Sequence, residues 1–188
     1  MEMGYQEASL RVIAAKAETT TGSIYTRFHD KEGLFRALVE ETVEPLITWI
    51  EEGQNAFAQK PAEEEREEVF TFAHDVWGEL VDYLYDHWAD FRLLLRCADN
   101  GMYETMIGRL VQIEVDYTYR FLEKTRNDAL TNGRLSPALL QMLSHAFYAG
   151  LFEVISLDMD RGSAHLYVRQ LQRFFAQGWT DLLGLKPG

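Results

Sequence analysis

The sequence predicts an all-α fold. Apolar residues recur at three- and four-residue spacing, β-branched residues rarely cluster, and helix-start and helix-stop residues punctuate the chain at intervals. Eight full helices follow from that punctuation. Leu10–Ala17 and Thr21–Phe28 are short. A long helix runs from Lys31 to about Phe57, with Asp30 as its cap and Pro45 inside it. Pro61 suits the first position of a helix running to about Asp86. Trp88–Ala98 is shorter and is ended by Asp99-Asn100-Gly101. Met102 opens a helix to about Asn127, before the turn Asn132-Gly133. Ser136-Pro137 is a cap followed by proline at the first helical position, and it opens Pro137–Met159. Asp160-Arg161-Gly162 breaks that helix, and Ser163–Leu183 is the last.

The composition bounds the function. With 47% hydrophobic and 13% aromatic residues in 188, a substantial core is expected. No apolar stretch is expected to reach the roughly 18 residues that span a bilayer. Met1-Glu2-Met3 lacks the basic and apolar runs of a signal peptide. Cys97 is the one cysteine, so no intramolecular disulfide forms. A small core residue in a reducing cytoplasm is the expectation. The net charge of −12 is unevenly spread. Residues 9–36 hold five basic and three acidic residues, whereas residues 41–188 hold 13 basic and 24 acidic ones. An acidic body keeps nonspecific attraction to phosphate low and leaves affinity to a small basic surface. The run Glu63-Glu64-Glu65-Arg66-Glu67-Glu68 reads as a solvated first helical turn favoured by the helix dipole.

Two short helices joined by a few polar residues, with a third helix opening at Asp30-Lys31-Glu32, form the layout of a helix-turn-helix. In its first helix Leu10, Ile13, Ala14 and Ala17 share one buried face. Thr20 or Thr21 caps the second helix, and Gly22 and Ser23 are small enough to let its start approach bases and phosphates. Ile24 and Phe28 point inward. Thr21, Ser23, Thr26 and Arg27 face outward as candidates for groove contacts. Lys31, at the start of the next helix, joins a positive charge to free backbone amides, a phosphate site, and Ser9 does the same at the first helix.

The segment Gly22-Ser23-Ile24-Tyr25-Thr26-Arg27-Phe28, followed by Lys31-Glu32-Gly33-Leu34-Phe35, resembles the DNA-binding domain of the TetR (tetracycline repressor) family. The resemblance is close over roughly the first forty residues. Beyond them, only helix number and length agree. It implies that Tyr25 sets its hydroxyl against a phosphate. In that family a helix of about three turns precedes the pair matched by Gly4-Tyr5. Only Met1-Glu2-Met3 stand in its place, so a truncated first helix is the expectation. Where the family has glycine and an apolar residue in the turn, this chain has Glu18 and Thr19. Loss of the glycine costs about 1 kcal/mol.

Pro137–Leu157 is apolar almost all round, so the helix must be covered on every side. Paired with the last helix it suits a four-helix interface across a twofold axis, as the resemblance implies. Ala146, Ala149, Gly150, Glu153, Leu171, Phe175 and Trp179 are the candidate dimer residues. A buried core of a single copy is the other reading. The resemblance also implies a ligand pocket in the body. Phe70, His74 and Trp77 lie on one stripe, and Tyr103, Leu110, Glu114 and Tyr117 on another. With Phe147 they are the candidate ligand-binding residues, for a small apolar or cationic organic molecule. Glu114 there binds a ligand cation or pairs with Arg109 or Arg120. His74 is a satisfied core residue or a ligand contact.

The histidines show no metal-ligand spacing, and no catalytic or nucleotide-binding motif occurs, so neither metal, cofactor nor catalytic residue is expected. The sequence thus predicts a cytoplasmic DNA-binding regulator. It would be a ligand-responsive repressor binding a palindromic operator on double-stranded DNA as a homodimer, with no membrane partner. The expected division is a helix-turn-helix domain over 1–44 and a ligand-binding and dimerisation domain over 45–188. The alternative is an all-helical small-molecule-binding or protein-interaction module that has lost DNA binding.

Overall fold

Helix capping and one continuous apolar stripe determine the architecture. The computed structural model describes residues 5, 8–97 and 101–185, and only the backbone over 69–75. Among the described residues there are eight helices: α1 Leu10–Lys16, α2 Thr21–Phe28, α3 Lys31–Ala58, α4 Ala62–Asp86, α5 Trp88–Arg96, α6 Met102–Lys124, α7 Pro137–Ser156 and α8 Arg161–Leu183.

Side-chain caps start five of them: Ser9, Thr20, Asp30, Ser136 and Asp160 each accept a hydrogen bond from the backbone three residues on. Asp160 therefore opens α8 rather than breaking the preceding helix, and Arg161 and Gly162 lie inside α8. Pro61 is the residue before α4, with extended ψ of 151°. The acidic run that follows is only partly solvated. Glu65 is buried and pairs with Lys124 of α6 at 3.1 Å. The sequence missed this pairing because the partner lies two helices away.

The turn between α1 and α2 is built without glycine. Glu18 takes φ 51°, the left-handed conformation for which glycine is usually chosen. The junction between α2 and α3 is tighter. Asp30 accepts from the Gly33 amide at 2.7 Å, and its own amide donates to the Phe28 carbonyl at 2.8 Å. A Cβ on Gly33 would lie 2.0 Å from that same carbonyl oxygen. Only glycine lets the end of α2 press this closely on the first turn of α3.

Helix α3 joins the two parts of the molecule. Phe35, Val39, Val43, Leu46, Ile47, Ile50 and Phe57 are buried along it. Its start packs on α2, and its remainder packs on α4, α5 and α6. Pro45 lies on its exposed side without ending it. In the body, α4 lies against α8, α6 against α7, and α7 against α8. The central layer is made by Leu80, Leu84, Phe91, Leu94, Leu110, Tyr148, Leu151 and Phe152, all almost fully buried. Each such side chain contributes about 1.5–3 kcal/mol on burial.

Helix α7 is long enough and apolar enough to cross a membrane by length and composition, contrary to the expectation from sequence. Part of its surface is in the core through Leu140, Tyr148, Leu151, Phe152, Val154 and Ile155. The same test is passed by core helices of globular proteins.

Replacing Gly33 by alanine sets a Cβ against backbone rather than a movable side chain. Gly33→Ala is expected to destabilise the chain by about 2–3 kcal/mol. Denaturant titration checks this, and an unchanged midpoint would show that the α2–α3 junction yields freely.

Candidate functional site

Helix α2 presents a small polar face held by its own hydrogen bonds. The Thr20 hydroxyl accepts from the Ser23 amide at 3.1 Å and lies 2.9 Å from the Ser23 hydroxyl. Thr26 donates to the Gly22 carbonyl at 2.9 Å. Ile24 is buried and Phe28 half-buried, which fixes the roll of the helix. Gly22, Ser23, Tyr25, Thr26 and Arg27 are then exposed, and Thr21 is half-buried. Tyr25 stands 54% exposed, an unusual setting for an aromatic ring in the absence of a partner. The Arg27 guanidinium rests 5.2 Å from the Phe28 ring centre, at the end of the same face.

Two expected phosphate contacts have other engagements. The Lys31 ammonium donates to the Tyr5 carbonyl at 2.6 Å and lies 4.2 Å from the Tyr5 ring centre. It is half-buried, and it anchors the chain ahead of α1. Tyr5 in turn packs edge-on against Phe35 at 5.3 Å. Ser9 is exposed, but its hydroxyl caps α1, accepting from Val12 at 3.3 Å.

An exposed, capped second helix against a glycine-tight third helix is the frame of a DNA-reading head. Residues 1–38 match the family described as "Bacterial regulatory proteins, tetR family". This head is a TetR-family DNA-binding domain. The match covers α1, α2 and the first turns of α3. No curated protein matches the chain, and no solved structure does.

The body encloses a cavity of about 860 Å³, walled by α3, α4, α6, α7 and α8. Of the residues expected there, Trp77, Glu114, Tyr117 and Phe147 are on its wall. Tyr103 is not: its ring packs edge-on to Phe152 at 6.1 Å. Leu110 is fully buried in the core behind the wall. Both share a stripe with Glu114, but the cavity takes in only the later turns of α6. The side chains of Phe70 and His74 lie outside the described residues.

The expected dimer residues divide in the same way. Phe175 and Trp179 line the cavity, and Phe147 and Phe175 meet edge-on at 5.2 Å. Gly150 serves packing within the chain. A Cβ there would meet Leu171 at 3.4 Å, and its carbonyl accepts from the Tyr167 hydroxyl at 3.2 Å. Ala149 is half-buried, and only Ala146 and Glu153 are exposed. Apolar side chains do remain outside on α7 and α8: Met142 is 68% exposed and Phe174 74%. Sequence periodicity could not tell these two faces of α8 apart, because both carry phenylalanine.

Glu114 is the chemically unusual group. Neither Arg109 nor Arg120 pairs with it. Arg109 forms a two-pronged ion pair with Glu44 of α3, one contact at 2.9 Å. Arg120 stacks over Tyr117 at 4.7 Å. Glu114 accepts instead from the Gln54 amide at 3.2 Å, a neutral donor. Burial pushes its carboxyl up to about 7. The Tyr148 phenol is raised well above its ordinary value, first by burial and then by the Glu114 charge. The buried hydroxyls of Ser144 and Tyr148 have no hydrogen-bond partner among the described residues. Gln54 and Ser144, both on the wall, escaped the sequence reading. A polar residue one turn before a buried tyrosine on an otherwise apolar helix was the available signal for Ser144.

The unfolded chain releases the Glu114 proton near 4.5 and the folded chain near 7. Between those values the native state binds more protons, so stability falls as pH rises, by up to about 3 kcal/mol. Glu114→Gln is expected to be more stable than the native chain at pH 8 and to lose that advantage at pH 5. Denaturant midpoints at the two pH values check this, and an advantage independent of pH would contradict it.

Proposed function

We propose that the chain is a TetR-family regulator, a cytoplasmic, ligand-responsive repressor that binds a palindromic operator as a homodimer. The observation that carries the reading is the outward face of α2, where Ser23, Tyr25, Thr26 and Arg27 are exposed. With Thr20, Thr21 and Gly22 they form the base- and phosphate-contacting set. Lys31 and Ser9 act at its edge by ordering the residues around it. Two heads spaced by about 34–36 Å would meet successive major grooves.

The exposed apolar residues Met142 and Phe174, beside Ala146 and Glu153, support pairing of α7 and α8 across a twofold axis. The cavity supports binding of a small apolar or cationic organic molecule. The division into a head over 1–44 and a body over 45–188 falls within α3, which transmits the change. Near Pro45 that helix lacks one backbone hydrogen bond. The turn around it is tied down from three sides: Thr42 donates to Asp90 at 2.9 Å, Tyr83 donates to the Thr42 carbonyl at 2.8 Å, and Glu44 holds Arg109. A ligand favouring one setting of these ties would shift the spacing of the heads.

The second reading, a helical module without DNA binding, is favoured by the engagement of Lys31 and by Glu18 on the exposed turn. Gel-shift titration with the gene's own upstream DNA across a salt series separates the two. The repressor reading expects specific binding that weakens steeply with salt. Arg27→Ala should cost about 1–3 kcal/mol, roughly fivefold to 150-fold in affinity. Absence of binding at low salt, or indifference to Arg27, would contradict it.

A further inference from the structure

The cavity wall is chemically lopsided. One side carries Trp77, Phe147 and Phe175, with Trp77 and Phe147 meeting edge-on at 4.7 Å. Another carries Glu114, whose hydrogen-bond partner is the Gln54 amide. Among the described residues, the two basic ones on the wall, Arg120 and Lys124, are otherwise occupied. Lys124 pairs with Glu65 at 3.1 Å and donates to the Ala58 carbonyl at 2.7 Å, and Arg120 stacks on Tyr117. Ser144, only 2% exposed, places an unpartnered hydroxyl on the same wall. Tyr148, one turn further along α7, has a second unpartnered hydroxyl, close enough to Glu114 to feel its charge.

These features discriminate among ligand chemistries. Among the described residues, an anion would face a desolvated carboxylate with no free cation beside it. A neutral apolar ligand would displace water from Glu114 and leave the charge less compensated than before. An organic cation supplies the missing countercharge, and an N–H-bearing one also supplies donors for the hydroxyl oxygens. Aromatic faces around the cavity favour the same charge and a flat body.

We propose that the cavity takes a flat organic cation, its protonated amine on the Glu114 carboxylate beside the Ser144 and Tyr148 hydroxyls, its apolar body against Trp77, Phe147 and Phe175. The proposal rests on the cavity being a ligand site, as the proposed function has it, but not on the ligand releasing DNA.

Three acridines of similar shape test it on the full chain at pH 8 in the absence of DNA: 9-aminoacridine as the cation, acridine as the neutral form and acridine-9-carboxylate as the anion. Binding is read by quenching of tryptophan fluorescence and by calorimetry. The cation should bind roughly tenfold or more tighter than neutral acridine, and the anion weakest. Glu114→Gln should erase the preference for the cation by weakening cation binding and letting neutral acridine bind at least as tightly as before, which also shows that the variant is folded. Equal binding of cation and neutral form, a preference that survives Glu114→Gln, or no binding of any of the three overturns the proposal. Operator release is measured separately, so a cation that binds without freeing DNA would contradict the inducer role and leave the cavity assignment standing.

Discussion

The whole arrangement depends on one helix being buried in two places. Along α3, Phe35 and Val39 close the head, and Val43, Leu46, Ile47, Ile50 and Phe57 continue the same stripe into the body. The spacing of three and four residues never lets the stripe rotate out of the core. Head and body are therefore not beads on a tether. Any displacement of the second half of α3 must either move α2 or break the junction at Gly33, where backbone meets backbone. That constraint links the cavity wall near Gln54 to the polar face near Arg27 through one helix.

The cavity borders the same helix from the other side. Trp49, Gln54 and Phe57 belong both to α3 and to the wall. Gln54 is the direct link, since its amide holds the Glu114 carboxylate of α6. In the proposed ligand response, a ligand taking over this carboxylate would free Gln54 and so act on α3 without touching the head. The ties at Thr42, Tyr83 and Glu44 lie between that point and the DNA-reading face. Interactions of this kind, exposed or half-exposed, are worth little singly, about 1 kcal/mol or less, which suits elements that must exchange partners.

Much of the fold was legible in the sequence because caps and periodicity are local. Thr20, Asp30 and Ser136 each cap the helix that they were expected to start, and the long third helix runs through Pro45. The outward face of α2 followed from two inward residues, Ile24 and Phe28. What failed was partner choice between distant segments. Glu114 gave its position but not its neighbour, which lies 60 residues away on α3. Glu65 read as solvated, yet it meets Lys124 across the body. Lys31 read as a phosphate contact, yet it is drawn to a carbonyl 26 residues earlier. Phe175 and Trp179 line the cavity, which periodicity does not show, because an apolar residue on a helix does not say which apolar surface it meets.

The central claim is that α3 conveys occupancy of the cavity to the spacing of two heads. Its most direct test is a distance between spin labels placed at exposed Arg11, as Arg11→Cys, in the otherwise native chain. With Cys97 buried and left unlabelled, one label per chain yields a distance only if two chains associate. The account predicts a defined inter-label distance in the free protein, and a shift of several ångströms when 9-aminoacridine fills the cavity, with occupancy confirmed by tryptophan quenching. No inter-label distance, or an identical distribution with the cavity filled, would contradict it.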